Sequence, residues 1–145
     1  MKKSYIFFLA SALSIFTACK KDEPTPPPTN PITELTATIN GSQQVPANSS
    51  TATGTFTGSY NSNTKLLTYT VTYQGFTPSI AHIHLGAPGA TGAVAIPFAN
   101  LTSPITGPVT LDEDQAKALL NNGMYVNMHS STYQNGEIRG DIKKK

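Results

Sequence analysis

The sequence has one cysteine, Cys19, no tryptophan, three histidines and little charge, with 12% of its 145 residues being Asp, Glu, Lys or Arg. A single cysteine excludes an intrachain disulfide and any zinc site built from several thiolates. The formal net charge of +2 comes from the ends, where Lys2, Lys3, Lys20, Lys21, Lys143, Lys144 and Lys145 gather. Between Thr33 and Ile142 only Lys65, Lys117 and Arg139 stand against Glu34, Asp112, Glu113, Asp114, Glu137 and Asp141. That stretch is net acidic, so no nucleic acid is expected as a partner. There is no internal repeat, no Gly-x-Ser-x-Gly and no nucleophile set beside a base in sequence, which favours a binding or structural module over an enzyme. The loop Gly86-Ala87-Pro88-Gly89-Ala90-Thr91-Gly92 lacks the lysine of a phosphate cradle and precedes a strand, so it reads as a turn.

What is present divides the chain into four parts. Residues 1–18 have the form of a signal peptide: Lys2 and Lys3 make a positive start, and Tyr5 to Phe16 is an apolar run too short to span a bilayer. The run closes on Phe16-Thr17-Ala18-Cys19, which resembles a lipobox with phenylalanine in place of the usual leucine. The resemblance implies lipidation of Cys19 and anchoring to a membrane through acyl chains; the alternative is ordinary secretion with a free thiol. Residues 19–32 follow as a tether, with Lys20-Lys21-Asp22-Glu23 and then Pro24, Pro26, Pro27, Pro28 and Pro31. Proline at this density favours extended polyproline II, a semi-rigid spacer of about 3 Å per residue. The charged cluster is similar to signals that carry lipoproteins to the cell surface, and equally suits the hydrophilic start of a linker. The expected location is the cell envelope, lipid-anchored, at the outer membrane and its surface. Residues 143–145 form a basic tail, expected as a solvated end.

Residues 33–142 have the composition of strands and turns. Lys65 to Tyr73 alternates cleanly, with Leu67, Tyr69, Val71 and Tyr73 on one face. It is expected to pair with Ala52 to Tyr60 through the turn Asn61-Ser62-Asn63-Thr64. A second hairpin joins Met124–Ser130 to Glu137–Ile142, with Asn135-Gly136 supplying the positive φ of its turn. Further strands are expected at Glu34–Asn40, Ile80–Leu85, Gly92–Phe98 and Val109–Leu111. One helix runs from Glu113 to about Asn121, capped by Asp112 with Gln115 at the capping-box position and Gly123 past its end. Its buried stripe is Ala116, Leu119 and Leu120. Asp112, Glu113 and Asp114 thereby serve the helix dipole rather than a calcium or glycosidase site. Seven or eight strands and one short helix give an all-β fold, an antiparallel sandwich or Greek-key barrel.

The chemistry rests on His82, His84 and His129. Residues two apart on a strand share a face, so His82 and His84 lie opposite Ala81, Ile83 and Leu85, and His129 lies with Tyr125 and Asn127 opposite Val126 and Met128. Glu137 and Arg139 fall on the corresponding face of the next strand. His-x-His plus a third histidine can hold copper or zinc through neutral imidazole nitrogens, with Asn127, Glu137 and Arg139 as supporting residues. The copper site of copper-zinc superoxide dismutases is similar, but it needs more histidines than this chain has. The competing reading is a polar cluster in which the histidines hydrogen-bond Glu137, Asn127 and loop backbone. No cofactor beyond copper or zinc is suggested.

Several motifs together resemble the CHRD domain, a module described as repeats in the animal protein chordin and found singly in bacterial proteins. They are Gly41-Ser42-Gln43-Gln44-Val45-Pro46 with Ala52-Thr53-Gly54; Ala81-His82-Ile83-His84-Leu85-Gly86 with Gly89 and Gly92; Tyr125-Val126-Asn127-Met128-His129; and Gly136-Glu137-Ile138-Arg139-Gly140. The resemblance runs from Leu35 to Ile142. Gln44 stands where glutamate is usual, Ala47 where a second proline is common, and Asp141 where glutamine is typical. The resemblance implies a β-sandwich-like extracellular module whose ligand, an extracellular protein or a glycan, is not specified by these motifs.

Overall fold

The computed structural model describes residues 30–145. The leader, Cys19 and the tether as far as residue 29 lie outside the described residues. Among the described residues nine strands form one antiparallel sheet: β1 Ile32–Asn40, β2 Thr53–Asn61, β3 Leu66–Gln74, β4 Ile80–Leu85, β5 Val94–Pro97, β6 Ile105–Thr110, β7 Met124–His129, β8 Ile138–Asp141 and β9 Lys143–Lys144. The helix α1, Glu113–Leu120, lies between β6 and β7. The strand order is β5-β4-β7-β8-β1-β2-β3-β6, with β9 also pairing β1. The all-β expectation holds, as a single curled sheet instead of two facing ones.

Period-two alternation decides which face is inside. Leu35, Ala37 and Ile39 of β1, Phe56 and Tyr60 of β2, Leu67 and Val71 of β3, Ala81 and Ile83 of β4, and Met124, Val126 and Met128 of β7 are all buried in one cluster. Curling brings the two ends of the sheet together: Phe98, just past β5, stacks on Tyr69 of β3 with ring centroids 5.4 Å apart, and Tyr69 in turn stacks on Phe56 at 6.2 Å. Each fully buried aliphatic or aromatic side chain contributes roughly 1.5–3 kcal/mol.

Both expected hairpins form. β2 and β3 pair from Thr53↔Gln74 to Asn61↔Leu66, and their turn is held by the Asn61 side chain, which accepts from the N–H groups of Asn63 and Thr64. β7 and β8 pair with Asn127 opposite Arg139, and Gly136 takes the positive φ. Asp112 and Gln115 exchange the two hydrogen bonds of a capping box.

Four details differ from the sequence reading. β6 begins at Ile105, earlier than expected, because Gly107 and Pro108 lie on an edge strand. There Pro108 forfeits no ladder bond on its open side, and Gly107 leaves room for the Tyr69 ring across from it. In α1 only Ala116 and Leu119 are buried, with Leu120 partly covered. The left-handed residue after the helix is Asn122, φ 56°, with Gly123 N–H donating to Ala118 O. Finally, the terminal lysines are more than a solvated end. Lys143 and Lys144 pair with Thr36 and Leu35 because β8 meets β1 only at Asn40, leaving the rest of that edge open. Ile142, between the two segments, is fully buried.

Candidate functional site

The outer face of the sheet has two halves. Over β2 and β3 it carries exposed Thr53, Thr55, Thr57, Thr68 and Thr72, cross-linked where Thr55 meets Thr72 and Ser59 meets Thr68, each at 2.8 Å between hydroxyls. Over β4, β7 and β8 it carries the histidines, and here it is covered. His82 and His84 are 8% and 9% exposed and Arg139 1%. The sequence reading put these side chains on the face of their strands opposite the aliphatic residues. They are on the expected face, but the segments 41–50, 86–93 and 130–137 fold back over them.

The register sets the cluster. β4 and β7 pair with His82 opposite Asn127, His84 opposite Tyr125 and Ile80 opposite His129, so His129 sits diagonally from His82. The three rings meet, His82–His84 at 4.8 Å and His82–His129 at 5.0 Å between centroids, both edge to face. One donor nitrogen from each of the three lies within 4.8 Å of the others. His82 Nδ1 and His84 Nε2 are 3.0 Å apart.

Backbone carbonyls assign the tautomers. His84 Nδ1 is 2.9 Å from Gly92 O and His129 Nδ1 is 2.8 Å from Gln134 O. A carbonyl only accepts, so both Nδ1 atoms carry the proton, and both Nε2 lone pairs are left facing inward. His129 Nε2 is buried with no hydrogen-bond partner among the described residues. Burial pushes the His82 pKa down to about 4, reinforced by repulsion from His84 and then His129. Burial also lowers His84, aided by His129 and Arg139 and opposed by the Gly92 hydrogen bond. Both imidazoles are therefore neutral near pH 7.

A clasp holds the cover in place. Arg139 donates from Nε and Nη2 to Asp141 Oδ1 at 3.1 and 2.8 Å, and from Nη1 to Ala90 O at 2.8 Å. Its guanidinium lies 3.7 Å over the Tyr125 ring, which stacks on His84 at 4.8 Å and 6°. Tyr125 Oη accepts from Gly92 N–H at 3.2 Å. Arg139 thus fixes the loop whose Gly92 carbonyl orients His84. Gly92 has no room for a side chain, because a Cβ there would run into the Leu85 carbonyl.

Of the supporting residues expected from sequence, Arg139 acts through this loop and Asp141. Glu137 and Asn127 make no hydrogen bond to a histidine: Glu137 Oε1 accepts from Ser50 Oγ at 2.8 Å, and Asn127 Oδ1 accepts from Gln44 Nε2 at 2.7 Å. Both tie down the 41–50 segment, where Asn48 also donates to the carbonyls of Gly136 and Glu137. The sequence reading did not assign Tyr125, Gly92, Gln134, Asn48 and Ser50 to the site. Gly92 and Tyr125 were legible as motif members; Gln134, Asn48 and Ser50 carry no sequence signal.

The family model of the CHRD domain matches residues 35–142, nearly all of the described chain. The chain belongs to the CHRD domain family. No curated protein and no solved structure matches it. Within this CHRD domain the family-like motifs fall on one structure: the 41–46 motif supplies Gln44, the 81–92 motif supplies both histidines and Gly92, and the two C-terminal motifs supply Tyr125, His129 and Arg139. Two of the three departures from the family pattern are accommodated, Asp141 as the partner of Arg139 and Gln44 as the donor to Asn127. At the level of the family this is a binding or structural module of the extracytoplasmic type.

Proposed function

We infer that this CHRD chain is a lipid-anchored extracytoplasmic module that engages an extracellular protein or glycan, tethered through Cys19. The observation carrying this reading is the division of the sequence: the family match occupies 35–142, and a leader closing on Cys19 with a proline-rich stretch precedes it. One acyl chain binds a bilayer marginally, whereas several hold it stably. A binding surface is supported on the covering segments, where a depression of about 260 Å³ has Tyr133 among its lining with Gln134 and Asn135. An aromatic ring beside amide side chains suits a sugar or a peptide edge.

Metabolic labelling with an alkyne fatty acid tests the anchor. The chain is expected to take up label and partition with membranes, and Cys19→Ala is expected to lose both. Persistent labelling of Cys19→Ala overturns the anchor. Protease treatment of intact cells then reports on which side of the outer membrane the domain lies.

A further inference from the structure

We propose that His82, His84 and His129 form a mononuclear metal site that prefers Cu(II) over Zn(II). The site goes beyond the binding reading above and does not depend on how the chain is anchored. Three independent observations carry it. First, donor nitrogens from two strands converge within 4.8 Å of one another. Second, His84 and His129 each donate Nδ1–H to a backbone carbonyl, the outer contact that fixes the tautomer and ring orientation of ligating histidines. Third, His129 Nε2 is buried with its lone pair unpartnered among the described residues. Leaving such an atom unsatisfied is unfavourable, and a metal–nitrogen bond removes that cost.

The distances point to the ion. Metal–imidazole bonds of about 2 Å whose nitrogen ends are 3.0 Å apart, as His82 Nδ1 and His84 Nε2 are, subtend nearly a right angle. That is the cis angle of tetragonal Cu(II) and is narrower than the tetrahedral angle of structural zinc. A trans pair on such an ion spans ~4 Å, so the widest separation of 4.8 Å has to close only slightly, within the reach of side-chain rotation. Binding at His82 Nδ1 moves its proton to Nε2, and the imidazole stays neutral. The positive charge of Arg139 is countered by Asp141 at 2.8 Å. With only three protein donors, a fourth equatorial position is left for water or a small anion.

Titration of the full chain with Cu(II) and Zn(II) tests the proposal, with residue 19 in the same state in every sample. One equivalent of Cu(II) is expected to bind at least tenfold more tightly than Zn(II), with an electron paramagnetic resonance spectrum showing nitrogen splitting from coordinated imidazoles. His129→Ala is expected to weaken Cu(II) by more than the ~10–100-fold typical of losing an outer contact. Wild-type affinity equal to that of His82→Ala/His84→Ala/His129→Ala overturns the site, as does a wild-type spectrum with oxygen ligands alone. That spectrum is decisive even where the triple variant does not fold. Zn(II) binding as tight as Cu(II) overturns the metal preference.

Discussion

His82 Nδ1 and His84 Nε2 face one another at 3.0 Å from positions two apart on one strand. Two neutral imidazole lone pairs do not approach so closely unless something positive lies between them. Because Gly92 O holds the His84 proton on Nδ1, that positive charge is the His82 proton or a bound cation. The cluster is therefore sensitive to pH, to the loop that orients His84 and to the residue that fixes the loop.

The pH dependence has a definite sign. His82 in the folded chain titrates at about 4, below its ordinary value of 6.5. In that interval the unfolded chain binds a proton that the folded chain does not. Stability is thus expected to be fully retained above about pH 6.5 and to fall as the pH drops toward 4, with His84, also lowered, adding in the same direction. Urea midpoints across that range, beside the same series for His82→Gln, measure it. A wild-type slope no steeper than that of the variant would falsify the assignment.

Among the described residues Arg139 is the largest fully buried side chain, and its hydrogen bonds lead to Asp141 and the 87–90 loop. Arg139→Leu leaves Asp141 without its partner and releases the loop, and is expected to cost about 3 kcal/mol. Arg139→Lys keeps the charge but loses the planar fork and the stacking on Tyr125, and should recover less than half of that. Chemical denaturation of the three proteins gives the comparison.

Gly92→Ala forces the loop away from the Leu85 carbonyl, moving the carbonyl that accepts from His84. A loss of roughly 1–3 kcal/mol is expected, together with a changed tautomer balance for His84 seen in nitrogen-15 shifts of the ring. Unaltered His84 shifts would mean that Gly92 O does not set the tautomer.

Phe98→Ala removes the ring that stacks on Tyr69 where the two ends of the sheet meet, at an expected cost of about 3–5 kcal/mol. Thr55→Ala on the exposed face loses one hydroxyl contact with Thr72 and is expected to cost under ~1 kcal/mol. Thermal unfolding of both variants tests whether the curl, and not the threonine face, carries stability.

The sequence by itself determined what depends on neighbours along the chain. Alternation placed Ala81, Ile83 and Leu85 opposite His82 and His84 because successive strand side chains point to opposite faces. The capping pair Asp112–Gln115 and the turn at Gly136 were legible because each is satisfied within a few residues. Pairing alone decided the rest. Gln44 meets Asn127 across 83 positions and Arg139 reaches Ala90 across 49, contacts fixed by strand register and by three loops folding onto one half of the outer face. Alternation marks a face as polar but is silent on whether solvent or backbone covers it. Only the tertiary structure therefore decided that His82 and His84 are buried, that Gly92 and Gln134 orient His84 and His129, and that His129 Nε2 is left with its lone pair directed inward.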